Sequence, residues 1–183
     1  MPNSTNPSSE QQTLTLQQAL DLAVQHHTAG DLPKAESIYE QILEANSNHP
    51  VALHLLGVIC HQRGKNDKAV DLIAKALKVV PNYAEAHNNM ARIFLELKKL
   101  DDAITSCQKA IKIFPVMPEA YNNLGIALLE QGRLKEAVAS LQKAINIKPD
   151  FADAFHVLGN TLRKLGKLDE AKECYLKALT IKP

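Results

Sequence analysis

The sequence predicts an all-α fold in which helix–turn–helix units stack on one another. A period of 34 residues runs through the chain, and Pro81, Pro115, Pro149 and Pro183 mark it at equal intervals. An alanine stands twelve residues and again five residues before each of these prolines. Because a unit of this length is too small to bury its own apolar face, neighbouring units must pack against each other.

Small and large residues also recur in register, which is typical of two helices that cross closely. The first helix of each unit carries a small residue on which a large residue of the second helix is expected to rest. The small residues are Gly57, Ala91, Gly125 and Gly159. The large residues are Ile73, Cys107, Leu141 and Tyr175.

The chain begins with a stretch rich in Ser, Asn, Pro and Gln, so residues 1–15 are predicted to be a disordered lead-in. Thr15 and Gln18 form a predicted capping box at the first helix. Gly30 ends that helix, and Pro33 suits the first turn of the next one. This first unit is a degenerate copy of the others.

Later units repeat the plan, with first helices that are predicted to begin near residues 50, 84, 118 and 152. Glycines at 64, 132 and 166 provide turns with a positive φ, whereas Lys98 takes this place in the third unit. The turn at Lys98 is therefore predicted to be tighter or strained. The predicted units span residues 16–49, 50–83, 84–117, 118–151 and 152–183.

These columns resemble the tetratricopeptide repeat, and the resemblance covers residues 16–183. It implies a right-handed α-solenoid of five repeats with a concave face that is lined by the first helices. It also implies a protein or peptide partner. In the fourth unit the matching residues are Tyr121, Leu124, Gly125, Leu128, Ala137, Leu141, Ala144 and Pro149.

Composition excludes several other classes of protein. The chain is 45% apolar and has a net charge of +1, so it is expected to bury a core. Residues 16–49 hold one basic and five acidic residues, a charge of −4, whereas residues 50–183 hold 20 basic and 14 acidic residues, a charge of +6. This excess is too small to predict a nucleic-acid partner. No apolar run or leader indicates a membrane or secretion, and three scattered cysteines suit a reducing compartment, so a cytoplasmic location is expected.

No motif points to catalysis, a metal or a cofactor. His54 and His61 lie two turns apart on one predicted helix, roughly 10 Å along its axis, which is too far for two ligands of one ion. The adjacent His26 and His27 diverge around their helix. Metalloprotease, phosphate-loop and nucleophile-elbow motifs are absent from the sequence. We expect a chain that is not itself an enzyme.

The first helices carry polar residues at corresponding places, and these are the predicted groove residues. An Asn side chain both donates and accepts hydrogen bonds, so it can pair with the backbone of an extended peptide whatever its side chains are. Alternatively, the amides bond across to neighbouring helices and fix the stacking. The candidates are His54, Asn88, Asn89, Arg92, Asn122, Asn123, His156 and Asn160.

A narrower resemblance rests on the strings AYNNLG, IKPDFADAF and LGNTLRKLGKLDEAKECYLKAL. They resemble the repeat region of O-GlcNAc transferase and SPINDLY-type relatives, where one asparagine before each Leu-Gly pair grips protein substrates. Asn89 and Asn123 match that asparagine, whereas Leu55 and Val157 do not. The resemblance implies a substrate-recognition region with a ladder of two rungs. The Lys-then-Asn pair of repeats that bind chaperone termini is missing.

The last unit closes at Pro183 without a polar capping helix, so Leu176 and Leu179 are predicted to remain partly uncovered. Two interpretations follow. Either the chain is a fragment of a longer array, or this end pairs with another molecule such as a second copy. The second interpretation makes a self-assembling scaffold the alternative to a recognition module.

Overall fold

The computed structural model describes residues 15–182, and this part of the chain is helical with no strand. The predicted lead-in lies outside the described residues, apart from Thr15. The described part contains ten helices, which pair into five hairpins, repeats 1 to 5. The helices are α1 (Leu16–Thr28), α2 (Leu32–Ala45), α3 (Pro50–Gln62), α4 (Asn66–Val79), α5 (Ala84–Glu96), α6 (Leu100–Ile113), α7 (Pro118–Glu130), α8 (Leu134–Ile147), α9 (Ala152–Lys164) and α10 (Leu168–Ile181).

The helix starts agree with the sequence signals. At α1, the Thr15 side chain accepts from the Gln18 backbone N–H at 3.2 Å, and the Thr15 N–H donates to Gln18 Oε1 at 2.9 Å. The predicted capping box is therefore confirmed. Pro50 and Pro118 occupy the first turns of α3 and α7, where a missing N–H costs no helical hydrogen bond.

The turns inside the hairpins have a positive φ, as predicted from their glycines. Gly132, for example, has φ +77°. Lys98 takes the same conformation with φ +58°, which is strained for a residue with a side chain. The turn is not tighter, however, because the Lys98 N–H lies 3.1 Å from Leu95 O and the Gly132 N–H lies 3.1 Å from Leu129 O. The turn at Lys98 therefore has the same geometry as the glycine turns, and Lys98 is strained in it.

The predicted contact between small and large columns is confirmed. A Cβ added at Gly125 would lie 2.5 Å from Leu141 Cγ, so the Leu141 side chain rests directly on bare backbone. The same contact joins Gly57 to Ile73 and Gly159 to Tyr175. The residues in the same columns of repeat 3, Ala91 and Cys107, and of repeat 1, Ala23 and Tyr39, are all fully buried.

The contacts between helices determine which face of the stack is concave. Each second helix packs against its own first helix and against the first helix of the next repeat. First helices also contact each other, α3 with α5, α5 with α7 and α7 with α9, whereas consecutive second helices of the described chain are not in comparable contact. The stack therefore bends towards the first helices, and α3, α5, α7 and α9 line its inner face.

The last helix is much less covered than the others. Of the residues of α10, only Ala171 is buried, and Leu168, Leu176 and Leu179 are 64%, 54% and 61% exposed. The prediction that Leu176 and Leu179 remain uncovered is confirmed.

Candidate functional site

The eight predicted groove residues lie on the first helices but differ in exposure. Arg92 and His156 are exposed, and four asparagines are partly buried: Asn88, Asn89, Asn123 and Asn160. His54 and Asn122 are only 3% and 7% exposed. These two do not present their side chains on an open surface, so the sequence prediction needs a correction at both positions.

His54 is buried because its imidazole joins repeat 2 to repeat 3. Its Nδ1 lies 2.9 Å from the hydroxyl of Tyr83, and its Nε2 lies 2.8 Å from Asn89 Nδ2. The Tyr83 ring also packs edge-on against the imidazole, with centroids 4.7 Å apart. Since the amide of Asn89 donates to Nε2, the proton of the neutral ring sits on Nδ1 and is donated to Tyr83. Burial lowers the pKa of His54 to about 4 and favours this neutral form.

Repeats 3 and 4 are joined by a different pair of side chains. Asn123 Nδ2 donates to Asn88 Oδ1 at 2.9 Å. Each of these amides has two N–H donors and an oxygen with two lone pairs, and this bond uses one site on each. The two partly exposed side chains keep further donors and acceptors that can reach a bound molecule.

Asn122 is the buried neighbour of Asn123. Its Oδ1 has no hydrogen-bond partner among the described residues. A buried amide oxygen without a partner costs about 1 to 3 kcal/mol, so such a group is rare in a folded protein. On α7, therefore, both the buried Asn122 and the partly exposed Asn123 have hydrogen-bonding groups that no contact within the described residues uses.

In repeat 5 the predicted residues meet a tyrosine of the second helix. The Tyr175 hydroxyl donates to Asn160 Oδ1 at 2.9 Å, and the His156 and Tyr175 rings lie 5.9 Å apart. The sequence register marked Tyr175 only as a core residue, and it did not mark Tyr83. Both tyrosines act through their hydroxyls, which a pattern of apolar columns does not register.

Arg92 differs from the other candidates because it extends into solvent. None of the ion pairs within residues 15–182 uses its guanidinium. A free guanidinium can bind a carboxylate through two parallel hydrogen bonds. Around it, the inner face contains the partly exposed apolar side chains of Leu55, Ile126 and Val157.

The inner face combines amides, one arginine and apolar side chains. It brings His54 to Asn89 and Asn88 to Asn123, and Arg92 follows one turn later on α5 without an ion pair within residues 15–182. Residues 15–182 contain no cluster of three or more His, Cys, Asp or Glu side chains that could hold a metal ion. In the same residues, every helix is too short or too polar to cross a bilayer. The amides, the arginine and the apolar side chains of the inner face suit recognition of a polypeptide.

The fold and this surface define a helical-repeat protein-interaction module. Family models described as "Tetratricopeptide repeat" match residues 26–93, 82–150 and 152–183. Together these matches cover nearly the whole described chain, and the protein belongs to the tetratricopeptide-repeat family. The comparison with curated protein sequences gives no significant match.

Solved structures of repeat proteins share the fold. A crystal structure of MamA is 28% identical with a TM-score of 0.76, covering 88% of this chain and 95% of that chain. MamA from Desulfovibrio magneticus RS-1 is 20% identical with a TM-score of 0.79, covering 91% and 94%. YrrB, described as a TPR protein with an unusual peptide-binding site, is 23% identical with a TM-score of 0.72, covering 92% and 87%.

Proposed function

We propose that this protein is a recognition module that holds an extended segment of a partner polypeptide along the inner face of α3, α5, α7 and α9. The observation that carries the proposal is the row of asparagine amides on two successive first helices. Asn88, Asn89 and Asn123 are partly exposed and use only one hydrogen-bonding site each in contacts between repeats.

The remaining amide groups suit a backbone ligand. An extended peptide exposes N–H and C=O groups along its length, and an amide side chain can pair with either. The bonds to His54 and Asn88 hold Asn89 and Asn123 in place before a ligand arrives, which lowers the entropy cost of binding. The two roles considered for these amides, fixing the stack and gripping a peptide, are thus compatible.

Arg92 adds a preference for negative charge. It is exposed on α5, the same helix that carries Asn88 and Asn89. A segment with an acidic side chain near this point gains an exposed ion pair with Arg92, which is worth roughly 0 to 1 kcal/mol. The similarity to YrrB is consistent with peptide binding on this fold.

The experiment begins with peptides that bind the purified protein, selected from a random library displayed on phage. Calorimetry then measures their affinity for the parent protein and for the double variant Asn89→Ala with Asn123→Ala. We expect about a thirtyfold loss of affinity, since two hydrogen bonds of roughly 1 kcal/mol each are removed. The matched control is Asn146→Ala, on the exposed surface of α8, which should bind normally.

Two results would reject this function. Unchanged affinity in the double variant would show that the peptide lies elsewhere. A collapse of thermal stability in the same variant would show that the amides serve mainly to fix the stack.

The narrower resemblance to the recognition region of O-GlcNAc transferases stays a prediction. It depends on the sequence strings and on Asn89 and Asn123 alone. The genomic sequence that follows codon 183 tests it, since a glycosyltransferase domain in the same reading frame would support a substrate-recognition role. A different domain there would exclude that role.

A self-assembling scaffold is the second candidate function, and the exposure of Leu176 and Leu179 favours it. Light scattering across a range of concentrations separates the two functions. A recognition module is expected to keep the mass of one chain at all concentrations. A mass that rises with concentration, and that Leu176→Lys with Leu179→Lys returns to one chain, would support the scaffold.

A further inference from the structure

A second groove lies on the outer side of the stack, between α4 and α6 and over α5. Its volume is about 780 Å³, which falls within the roughly 300 to 1,000 Å³ of typical ligand sites. Leu77, Met90 and Phe94 provide an apolar lining. Three exposed lysines complete it: Lys78, Lys109 and Lys112.

In repeat 4, side chains of the protein itself occupy part of the equivalent groove. Tyr121 lines it, and the ammonium group of Lys143 lies 5.7 Å from the centre of the Tyr121 ring. Its volume is about 330 Å³. Repeat 5 shows the same arrangement, with Lys177 lying 5.6 Å from the ring centre of Phe155. An aromatic ring below a lysine is thus shared by the outer sides of repeats 4 and 5, whereas repeat 2 has Leu53 with Lys75 in these columns.

Repeat 3 has the lysine without the ring. Lys109 stands in the column of Lys143, but His87 stands in the column of Tyr121. His87 is 8% exposed, and its Nε2 lies 3.0 Å from the carbonyl oxygen of Pro81. Burial lowers the pKa of this imidazole by more than the hydrogen bond to Pro81 raises it, and Lys109 lowers it further, so the ring is neutral and donates to Pro81. The hydrogen bond to Pro81 holds the imidazole against the backbone, and the imidazole is also smaller than a phenol ring. Both features leave the groove open.

The charge of this groove is not balanced by the protein. No acidic residue lines it. None of the ion pairs within residues 15–182 uses Lys78, Lys109 or Lys112. An apolar floor beside three unpaired ammonium groups is complementary to a ligand that is both apolar and acidic.

We propose that the outer groove of repeat 3 binds an acidic polypeptide segment through an aromatic side chain. The aromatic ring enters beneath Lys109, where Tyr121 lies in repeat 4, and packs against Met90 and Phe94. Acidic residues on either side of the ring pair with Lys78 and Lys112. This surface is separate from the inner face, so the two sites can be occupied together.

Within this chain, Phe151 with Asp150 and Asp153 comes nearest to such a segment, but its ring already lies below the ammonium group of Lys148, at 5.1 Å from the ring centre. Residues 1–14 contain one acidic residue, Glu10, and no aromatic residue. Repeat 1 of a second copy is acidic, but the ring of Tyr39 is fully buried in it. We therefore assign the groove to a segment of a partner polypeptide, and a second copy of this chain is tested below.

The probe is a synthetic peptide with one phenylalanine flanked by two glutamates on each side, titrated into isotopically labelled protein and followed by backbone amide NMR. Shifts are expected in α4, α5 and α6. Replacing the phenylalanine by alanine should weaken binding about fivefold or more, since a buried ring contributes at least ~1 kcal/mol. Equal binding of both peptides, or no shifts at millimolar peptide, would overturn the proposal.

Protein variants locate the site. Lys109→Gln should weaken binding about twofold to fivefold, as expected for a cation–π contact of about 0.5 to 1 kcal/mol. Lys143→Gln, in the matching column of repeat 4, should leave the affinity unchanged. Equal losses in both variants would mean that the peptide responds only to overall charge, and the proposed groove would be wrong.

A plugging variant provides a test of the missing ring. His87→Tyr recreates the arrangement of Tyr121 and Lys143 inside repeat 3, so it should abolish peptide binding while the circular dichroism spectrum stays helical. Normal binding by a folded His87→Tyr protein would refute the proposal, and if this variant fails to fold, the lysine variants decide. Self-association without peptide that His87→Tyr removes would assign the groove to a second copy and also refute it.

Discussion

Repeats 3 and 4 are neighbours with the same backbone plan, yet they fill it with different side chains. In repeat 4 the hairpin turn has Gly132 and the close helix contact joins Gly125 to Leu141. In repeat 3 the same turn has Lys98 at φ +58°, and Ala91 faces the smaller Cys107.

The difference between these two repeats shows that the two contact positions compensate for each other. The larger Ala91 of repeat 3 is matched by the smaller Cys107, so that the helices keep their separation, although repeat 1 combines Ala23 with the large Tyr39. At the hairpin turn no second residue compensates for Lys98. The backbone there keeps the positive φ of the glycine turns, and the strain is expected to lower the stability of repeat 3. Surface chemistry then varies freely, and repeat 3 gains a histidine joint to repeat 2 and an open outer groove.

The largest effect is expected when the close contact in repeat 4 is changed to that of repeat 3. Gly125→Ala places a Cβ 2.5 Å from the Leu141 branch point and should lower the free energy of unfolding by about 2 kcal/mol. Leu141→Cys leaves a cavity and should cost about 3 kcal/mol. The double variant should cost at least ~1 kcal/mol less than the sum, because the two changes compensate. Urea denaturation of all four proteins measures this, and strict additivity would contradict the pairing.

Acid should weaken the joint between repeats 2 and 3 more than the joint between repeats 3 and 4. The pKa of His54 is about 4 in the folded protein, below the ordinary value of 6.5, so the unfolded chain takes up the proton first. Stability is therefore complete above pH 6.5 and falls as the pH decreases towards 4, by roughly 2 to 3 kcal/mol. The joint of Asn88 to Asn123 has no titrating group.

The control for this pH effect is His54→Asn, which gives both joints the same chemistry. The groups that face His54 are Tyr83, Asn89 and, at longer range, His27. Burial also lowers the pKa of His27 and His87, so the variant should show a shallower pH slope, not a flat one. Denaturation at pH 7 and pH 4.5 measures the slopes. Equal slopes in both proteins would exclude His54 as the main source.

A smaller effect is expected at the hairpin turn. Lys98→Gly removes the strain of a positive φ but also the contact of Lys98 Nζ with Glu130 at 2.9 Å, in which the lysine is 71% exposed. Since exposed ion pairs contribute little, the net gain should be about 0.5 kcal/mol. The reciprocal Gly132→Lys should lose about 1 kcal/mol. Melting temperatures that move in the same direction for both variants would contradict this account.

The smallest change is expected when the amide joint is removed alone. Asn123→Ala breaks the bond to Asn88 Oδ1, which can turn to water, and alanine is the better helix former. The stability should change by no more than ~0.5 kcal/mol. Thermal melting beside Asn146→Ala measures it, and a loss several times larger would show that the amide joint is essential for the stack.

The sequence predicts the fold well because its signals are local and repeated. The register of Gly125 with Leu141 and of Gly132 with the turn follows from sterics within one hairpin. Burial of His54 could not be predicted, because it depends on Tyr83, which directly precedes α5, and on Asn89 of α5, whose side chains bond to the imidazole. The 34-residue register identifies the helix face of a residue but not what a neighbouring repeat places over it.

The outer groove was missed for a similar reason. The spacing of 22 residues between Tyr121 and Lys143, and between Phe155 and Lys177, is visible in the sequence. The same spacing joins His87 to Lys109, but only the structure shows that ring and lysine lie on one groove. With His87 in place of the larger ring, the groove of repeat 3 has a volume of about 780 Å³, compared with about 330 Å³ in repeat 4.

The central claim is that the inner face of the stack holds an extended polypeptide. Backbone amide NMR of the labelled protein, titrated with a peptide selected from the phage library, tests it most directly. If the peptide lies along this face, the largest shifts are expected on α5 and α7, around Asn88, Asn89 and Asn123. Shifts confined to the second helices or to α10 would contradict it.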